Sequence, residues 1–102
     1  MSADNGIYIG RFPTGVDENF EYRVAHAQAI DNTSWQDHMR WRKCNEEFAR
    51  EQANESICLV FGGCEVFTSE TKAIKEANKI HDIIQWVEYG VSILVFDKPF
   101  PI

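Results

Sequence analysis

Residues 6–29, GIYIGRFPTGVDENFEYRVAHAQA, decide the fold because they carry the pattern of two strands joined by a loop. GIYIGRF (6–12) is rich in residues that favour strands, and PTGVDEN (13–19) supplies the Pro, Gly, Asp and Asn expected of a long hairpin loop. FEYRVAHAQA (20–29) alternates in the two-residue period of a strand. One side of this strand would carry Tyr22, Val24, His26 and Gln28, and the other Arg23, Ala25, Ala27 and Ala29. We therefore predict a β-hairpin near the start of the chain.

A long helix is predicted over 34–54. Thr33 and Gln36 fit a capping box, which would satisfy two free amide donors at the start of the helix. On a helical wheel the apolar side chains form two groups rather than one. The first group contains Trp41, Cys44 and Phe48, and the second contains Trp35, Met39, Ala49 and Ala53. Since a helix in a two-layer domain usually buries one stripe, the other group needs a further neighbour.

The rest of the chain predicts two more buried strands around a second helix. SICLVF (56–61) has the composition of a buried strand, Gly62 and Gly63 indicate a turn, and CEVF (64–67) continues or pairs with that strand. A helix capped by Thr68 or Ser69 then carries a clean apolar stripe as far as about Trp86. VSILVF (91–96) forms the last strand. The order β-β-α-β-α-β predicts an α+β fold, with a mixed four- or five-stranded sheet and two helices on one face.

Composition indicates a single globular domain over residues 1–102. The chain is 44% hydrophobic and 13% aromatic, which is enough to bury one core. A formal net charge of −6 makes direct binding to nucleic acid unfavourable. Three cysteines without CxxC spacing and an N-terminus without an apolar signal segment favour a reduced, cytosolic protein. The apolar runs are too short to cross a membrane, so no membrane association is expected.

No motif in the sequence specifies a reaction. His26 lies on a half-polar strand face, but the sequence names neither an orienting acid nor a reacting partner for it, so a packed or surface histidine is favoured. Cys58 and Cys64 lack the spacing of a zinc site, and the glycine pair at 62–63 is not a phosphate-binding loop. We therefore expect no catalytic residue, no metal and no cofactor.

HMRWRK (38–43) interleaves three cations with Trp41, a combination that nucleic-acid surfaces use. Glutamates at 46, 47 and 51 follow directly and are expected to pair with these cations at i,i+4. The more informative signal is the surplus apolar group, because aromatic residues, Met and Arg are enriched at interface centres. The residues predicted to contact a partner are Trp35, Met39, Arg42 and Ala49.

Four segments resemble a family of small, largely uncharacterised proteins encoded by bacteriophages and prophages. These segments are NGIYIGRF, EYRVAHAQAI, CEVFTSETKAIKEANKI and VEYGVSIL, and they cover both ends of the chain but not residues 33–56. The resemblance implies a protein of the host cytoplasm that acts on host systems, as inhibitors of CRISPR–Cas and other immunity do. It identifies no catalytic residue.

The leading hypothesis from the sequence is a non-enzymatic, anti-CRISPR-like protein that occupies the surface of a host defence complex. A homodimer is compatible with this hypothesis. Two alternatives stay open: a protein that sequesters a small molecule or nucleotide signal near Tyr22, Arg23 and His26, and an enzyme that modifies a host component.

Overall fold

The computed structural model describes residues 5–28, 34–84 and 87–101. The elements are β1 Asn5–Pro13, β2 Phe20–Gln28, α1 Trp35–Arg42, α2 Glu46–Phe61, β3 Val66–Phe67, α3 Glu70–Ile83 and β4 Val91–Val95. Within the described residues the predicted hairpin is confirmed, with a loop at 14–19 that is closed by a hydrogen bond from the Thr14 amide to the Asn19 carbonyl, 3.1 Å long. The predicted helix ends at Thr33 and Trp86 lie outside the described residues.

The four strands form one mixed sheet in the order β3-β2-β1-β4. β1 and β2 are antiparallel, in a register that places Ile9 opposite Val24, and β3 adds to β2 in the antiparallel direction. β4 runs parallel to β1 on its other side and places Ile93 opposite Ile9. The predicted α+β class and the mixed four-stranded sheet are therefore confirmed.

The helices lie on opposite faces of the sheet, which corrects the expectation that both occupy one face. On one face Ile7, Ile9, Tyr22 and Val24 pack with Ala73 and Ala77 of α3. On the other face Tyr8, Phe12 and Ala25 pack with Ile57 and Phe61 of α2. Successive side chains of a strand point to opposite faces, so β1 contributes to both cores. Because β1 is covered on both faces of the sheet, it needs apolar residues at consecutive positions, and this explains its nearly continuous apolar run.

Residues 56–61 form the end of helix α2, so the strand predicted for SICLVF is wrong. Ile57 and Phe61 continue the four-residue spacing that Ala49 and Ala53 begin, and these four side chains are the buried residues of α2. Leu59, which would share a face with Ile57 and Phe61 in a strand, is instead 85% exposed. A short apolar run fits a buried strand and the last turns of a helix equally well. Here residues 56–61 are helical because they continue the four-residue apolar spacing of α2.

The single helix predicted over 34–54 is in fact two helices separated by residues 43–45. Lys43 adopts a left-handed conformation at φ 51°, and its amide donates to the Met39 carbonyl at 3.0 Å, which ends α1. Asn45 then begins α2, because its side-chain oxygen accepts the Phe48 amide at 2.8 Å. α1 packs against α2. This break determines which side chains of the region face solvent.

The chain beyond β4 completes the core on the α2 side. The Phe96 ring stacks on the Phe12 ring with centroids 4.6 Å apart, and Phe100 meets Phe12 edge-on at 5.3 Å. The Arg23 guanidinium lies 3.8 Å from the Phe100 ring centroid, and the Cys58 thiol donates to the Pro101 carbonyl at 3.2 Å. Residues 96–101 are thereby held against α2, with a cleft left between the two.

Candidate partner-binding surface

The second apolar group on the predicted long helix turns inward, contrary to its assignment as the partner-binding group. Ala49 is fully buried and Ala53 is 4% exposed, so neither side chain can contact a partner. Trp35 and Met39 are half-buried. The Arg50 guanidinium covers the Trp35 ring at 4.2 Å from its centroid. Ala49 is therefore removed from the predicted site, and Trp35 and Met39 keep only partial access to solvent.

The first apolar group faces solvent instead. Trp41 is 78% exposed and Phe48 is 43% exposed. Trp41 lies one residue before the end of α1, and Phe48 is the third residue of α2, so both flank the connection at 43–45. We call Arg40, Trp41, Arg42, Lys43 and Phe48 the Trp41 surface. An indole exposed to this extent is unusual for a side chain that can bury roughly 150–250 Å².

No acid among the described residues neutralises the cations beside Trp41. Arg40, Arg42 and Lys43 are exposed, and within residues 5–28, 34–84 and 87–101 no carboxylate forms an ion pair with them. Arg42 donates to the amide oxygen of Gln52, at 3.3 Å. The expected i,i+4 pairing of these cations is therefore wrong. These pairs do not form because the helix breaks at 43–45, and side chains on either side of the break no longer have the i,i+4 spacing of one continuous helix.

Glu46 interacts within α2 instead. Glu46 accepts two hydrogen bonds from Arg50, at 2.8 and 3.2 Å, one turn further along the same helix. The Trp41 surface is consequently a positive, aromatic patch on a chain whose formal net charge is −6. Such a patch suits an acidic partner surface, because aromatic and arginine side chains dominate the energetics of protein interfaces.

The three histidines are not assembled into a site. His26 and His81 are exposed. His38 is 5% exposed and lies inside α1. Within the part of the chain that the structure describes, no group of three or more His, Cys, Asp or Glu is arranged to hold a metal ion.

The residues suggested for a nucleotide-signal site are separated by the sheet. Tyr22 is 7% exposed and belongs to the core under α3. His26 lies on the same face of β2 as Tyr22, but its side chain is exposed. Arg23 points to the opposite face, where it covers Phe100. These three side chains therefore do not converge on one ligand.

Cys44, Cys58 and Cys64 are free and half-buried. Burial raises the pKa of the Cys64 thiol, and the nearby positive charge of Arg23 offsets only part of that effect. Because a thiolate is the reactive form, the environment of Cys64 opposes nucleophilic reactivity rather than promoting it.

The chain was compared with protein families, curated proteins and solved structures. No family profile, no curated protein and no solved structure matches the chain. None of the helices in the described residues combines the length and the hydrophobicity that a membrane-spanning helix needs. Inferences about function therefore start from the geometry of this chain.

Proposed function

We propose that the protein is a non-enzymatic binding protein whose Trp41 surface contacts an acidic patch on a partner protein. The observation that carries the proposal is the exposed Trp41 indole, flanked by three cations that the described residues leave without an acidic partner. In the free chain this indole contributes little to stability, because most of it stays in water. On binding it would be buried at the centre of the contact, where tryptophan is most effective.

Charge complementarity favours a protein partner over a nucleic acid. A polyanion as long as DNA or RNA would meet the negative charge that surrounds this local patch, and the chain carries 16 acidic residues against 10 basic ones. An acidic protein surface of limited area can match three cations without approaching the rest of the chain. The three cations would also speed association, since complementary charge steers encounter.

The partner that we propose is a host defence complex, which the protein inhibits by occupying its surface, as an anti-CRISPR protein does. The resemblance to bacteriophage proteins supplies this context, and the exposed apolar and cationic side chains supply a means of contact. Host cytoplasm is the compartment in which such a partner would be met.

The experiment is a plating assay in paired host strains, with and without an active defence system. We expect expression of the wild-type chain to restore plating of a targeted phage only where the defence is active. Trp41→Ala should abolish this restoration. Ile83→Ala is the matched control, because Ile83 is 69% exposed and lies on α3.

A second pair of variants tests the charge. Reversing Arg40, Arg42 and Lys43 to glutamate should abolish the restoration, whereas reversing the three exposed lysines of α3 should not. The α3 lysines are Lys72, Lys75 and Lys79. Both triple variants change the net charge by the same amount, so equal loss of function in both would show that overall charge, and not the Trp41 surface, matters.

A further inference from the structure

A cleft of about 170 Å³ lies between α2 and the chain segment after β4. Its inner surface includes Phe12 and Ile57, which are 1% and 6% exposed, and Trp35 and Phe96 add aromatic surface. The cleft is thus built partly on the buried core of the α2 side and not on surface residues alone. Trp41 does not line it, so it is separate from the proposed partner-binding surface.

The volume of the cleft matches one small ring. An apolar cavity of about 150 Å³ engineered in another protein binds benzene, whereas pockets for drug-sized ligands measure about 300–1,000 Å³. A cleft of about 170 Å³ therefore has room for a six-membered aromatic ring with one small substituent. Aromatic walls favour such a ring through stacked and edge-on contacts.

The polar residues at the cleft favour a negative substituent. Among the residues that line the cleft, Arg50 and Lys98 are cations and Asp97 is the one carboxylate; Glu46, which pairs with Arg50, does not line it. Arg50 is held in place by the Trp35 ring, which its guanidinium covers at 4.2 Å, and by Glu46 at 2.8 Å. Its side chain nevertheless remains 39% exposed. A fixed, partly exposed guanidinium is well suited to a carboxylate, with which it forms charge-assisted hydrogen bonds.

We propose that this cleft binds a small aromatic carboxylate. The ring lies against Phe12 and Ile57, and the carboxylate is bound by Arg50 and Lys98. This inference does not depend on the proposed function, since it uses other residues and another face of the helix pair.

Three planar probes of the same shape test the proposal: benzoate, benzamide and benzamidine, which are anionic, neutral and cationic. Each is titrated into the ¹⁵N-labelled full-length protein, and backbone amide and indole signals are followed by NMR. We expect benzoate to shift the signals of residues 50–57, 96–98 and the Trp35 indole. Its dissociation constant should be about 1 mM, the weak affinity of a ligand with so few atoms. Benzamide should bind at least tenfold more weakly, and benzamidine more weakly still.

Variants then test the assigned residues. Arg50→Gln should weaken benzoate binding about tenfold, the loss expected for one charge-assisted hydrogen bond. Lys98→Gln should weaken it less, and it keeps the proposal testable if Arg50→Gln does not fold, because Lys98 is exposed and outside every helix and strand. Lys79→Gln on α3 removes the same charge as Lys98→Gln and should leave the affinity unchanged.

Three results would overturn the proposal. The first is benzamidine or benzamide binding as tightly as benzoate, which would remove the role of charge. The second is the absence of any shift in the cleft at 20-fold the expected dissociation constant. The third is tighter binding of N-acetyl-phenylalanine amide than of benzoate, which would show that the cleft accepts the side chain of a partner protein.

Discussion

Alanine substitutions at Ile57 and Leu59 distinguish a helix from a strand at residues 56–61. In a strand, both side chains would point to the face that also holds Phe61, and both would be buried. In the helix of this structure Ile57 is 6% exposed and packs with Phe12 and Phe61, whereas Leu59 is 85% exposed. The two substitutions remove similar apolar volume, so a difference in their cost reports position rather than chemistry.

The expected magnitudes follow from burial. Ile57→Ala removes most of a buried side chain and leaves a cavity, so it should lower the free energy of unfolding by about 2–5 kcal/mol. Leu59→Ala removes a side chain that is already in water, so its effect should stay within about 0.5 kcal/mol. Ile57→Val provides a milder step of about 0.5–1.5 kcal/mol in case the alanine variant is too unstable to measure.

Urea unfolding followed by far-ultraviolet circular dichroism measures these differences, and the slope of each transition checks that the variants unfold in the same manner. Equal destabilisation by Ile57→Ala and Leu59→Ala would refute the helical assignment of residues 56–61. That result would also contradict the placement of Ile57 in the lining of the cleft.

Three further variants or measurements address local features. Asn45→Ala should cost about 0.5–2 kcal/mol in urea unfolding, because the 2.8 Å hydrogen bond that caps α2 is lost; no cost would contradict the helix start at Glu46. Gly63→Ala should cost about 1–2 kcal/mol through its φ of 82° alone, and Gly63→Asn should cost less; equal costs would contradict the left-handed conformation. Cys64 should react with iodoacetamide more slowly in the folded than in the urea-unfolded chain, as peptide mass spectrometry can measure, because burial raises the pKa of its thiol. Faster labelling of Cys64 in the folded chain would contradict the raised pKa. Because the folded state keeps the thiol proton to higher pH than the unfolded state does, the contribution of Cys64 to stability falls as pH rises through the folded pKa.

The sequence predicts the elements whose pattern is long and regular. The alternation in residues 20–29 and the Pro-Thr-Gly loop predict the hairpin, and the apolar stripe after Ser69 predicts α3, whose amide at Lys72 donates to the Ser69 hydroxyl. The faces on which the helices pack could not be predicted. They depend on sheet order, and an apolar run such as GIYIGRF fits one covered face or two.

Of the Trp41 surface, the sequence assigns only Arg42 to a partner contact, because a continuous helix over 34–54 does not show the break at Lys43. A continuous helix over 34–54 places Trp41 and Phe48 on the core side as readily as Trp35 and Met39. The break at Lys43 and the new start at Asn45 change the direction of the chain. A signal was present: Asn45 followed by two glutamates is a typical helix start, since an N-cap side chain and acidic residues stabilise the first turn.

The measurement that tests the central claim most directly is the affinity of the purified partner for wild-type and Trp41→Ala protein. The partner is the protein that immobilised wild-type chain retains from lysate of the defence-active host and that the bare resin does not. Isothermal titration should show that Trp41→Ala weakens binding by at least about 30-fold, as expected for an interface hot spot, while its urea unfolding stays within about 0.5 kcal/mol of wild type. Ile83→Ala should bind as wild type does. Equal affinity of a folded Trp41→Ala variant would contradict the proposal that the Trp41 surface is the binding site.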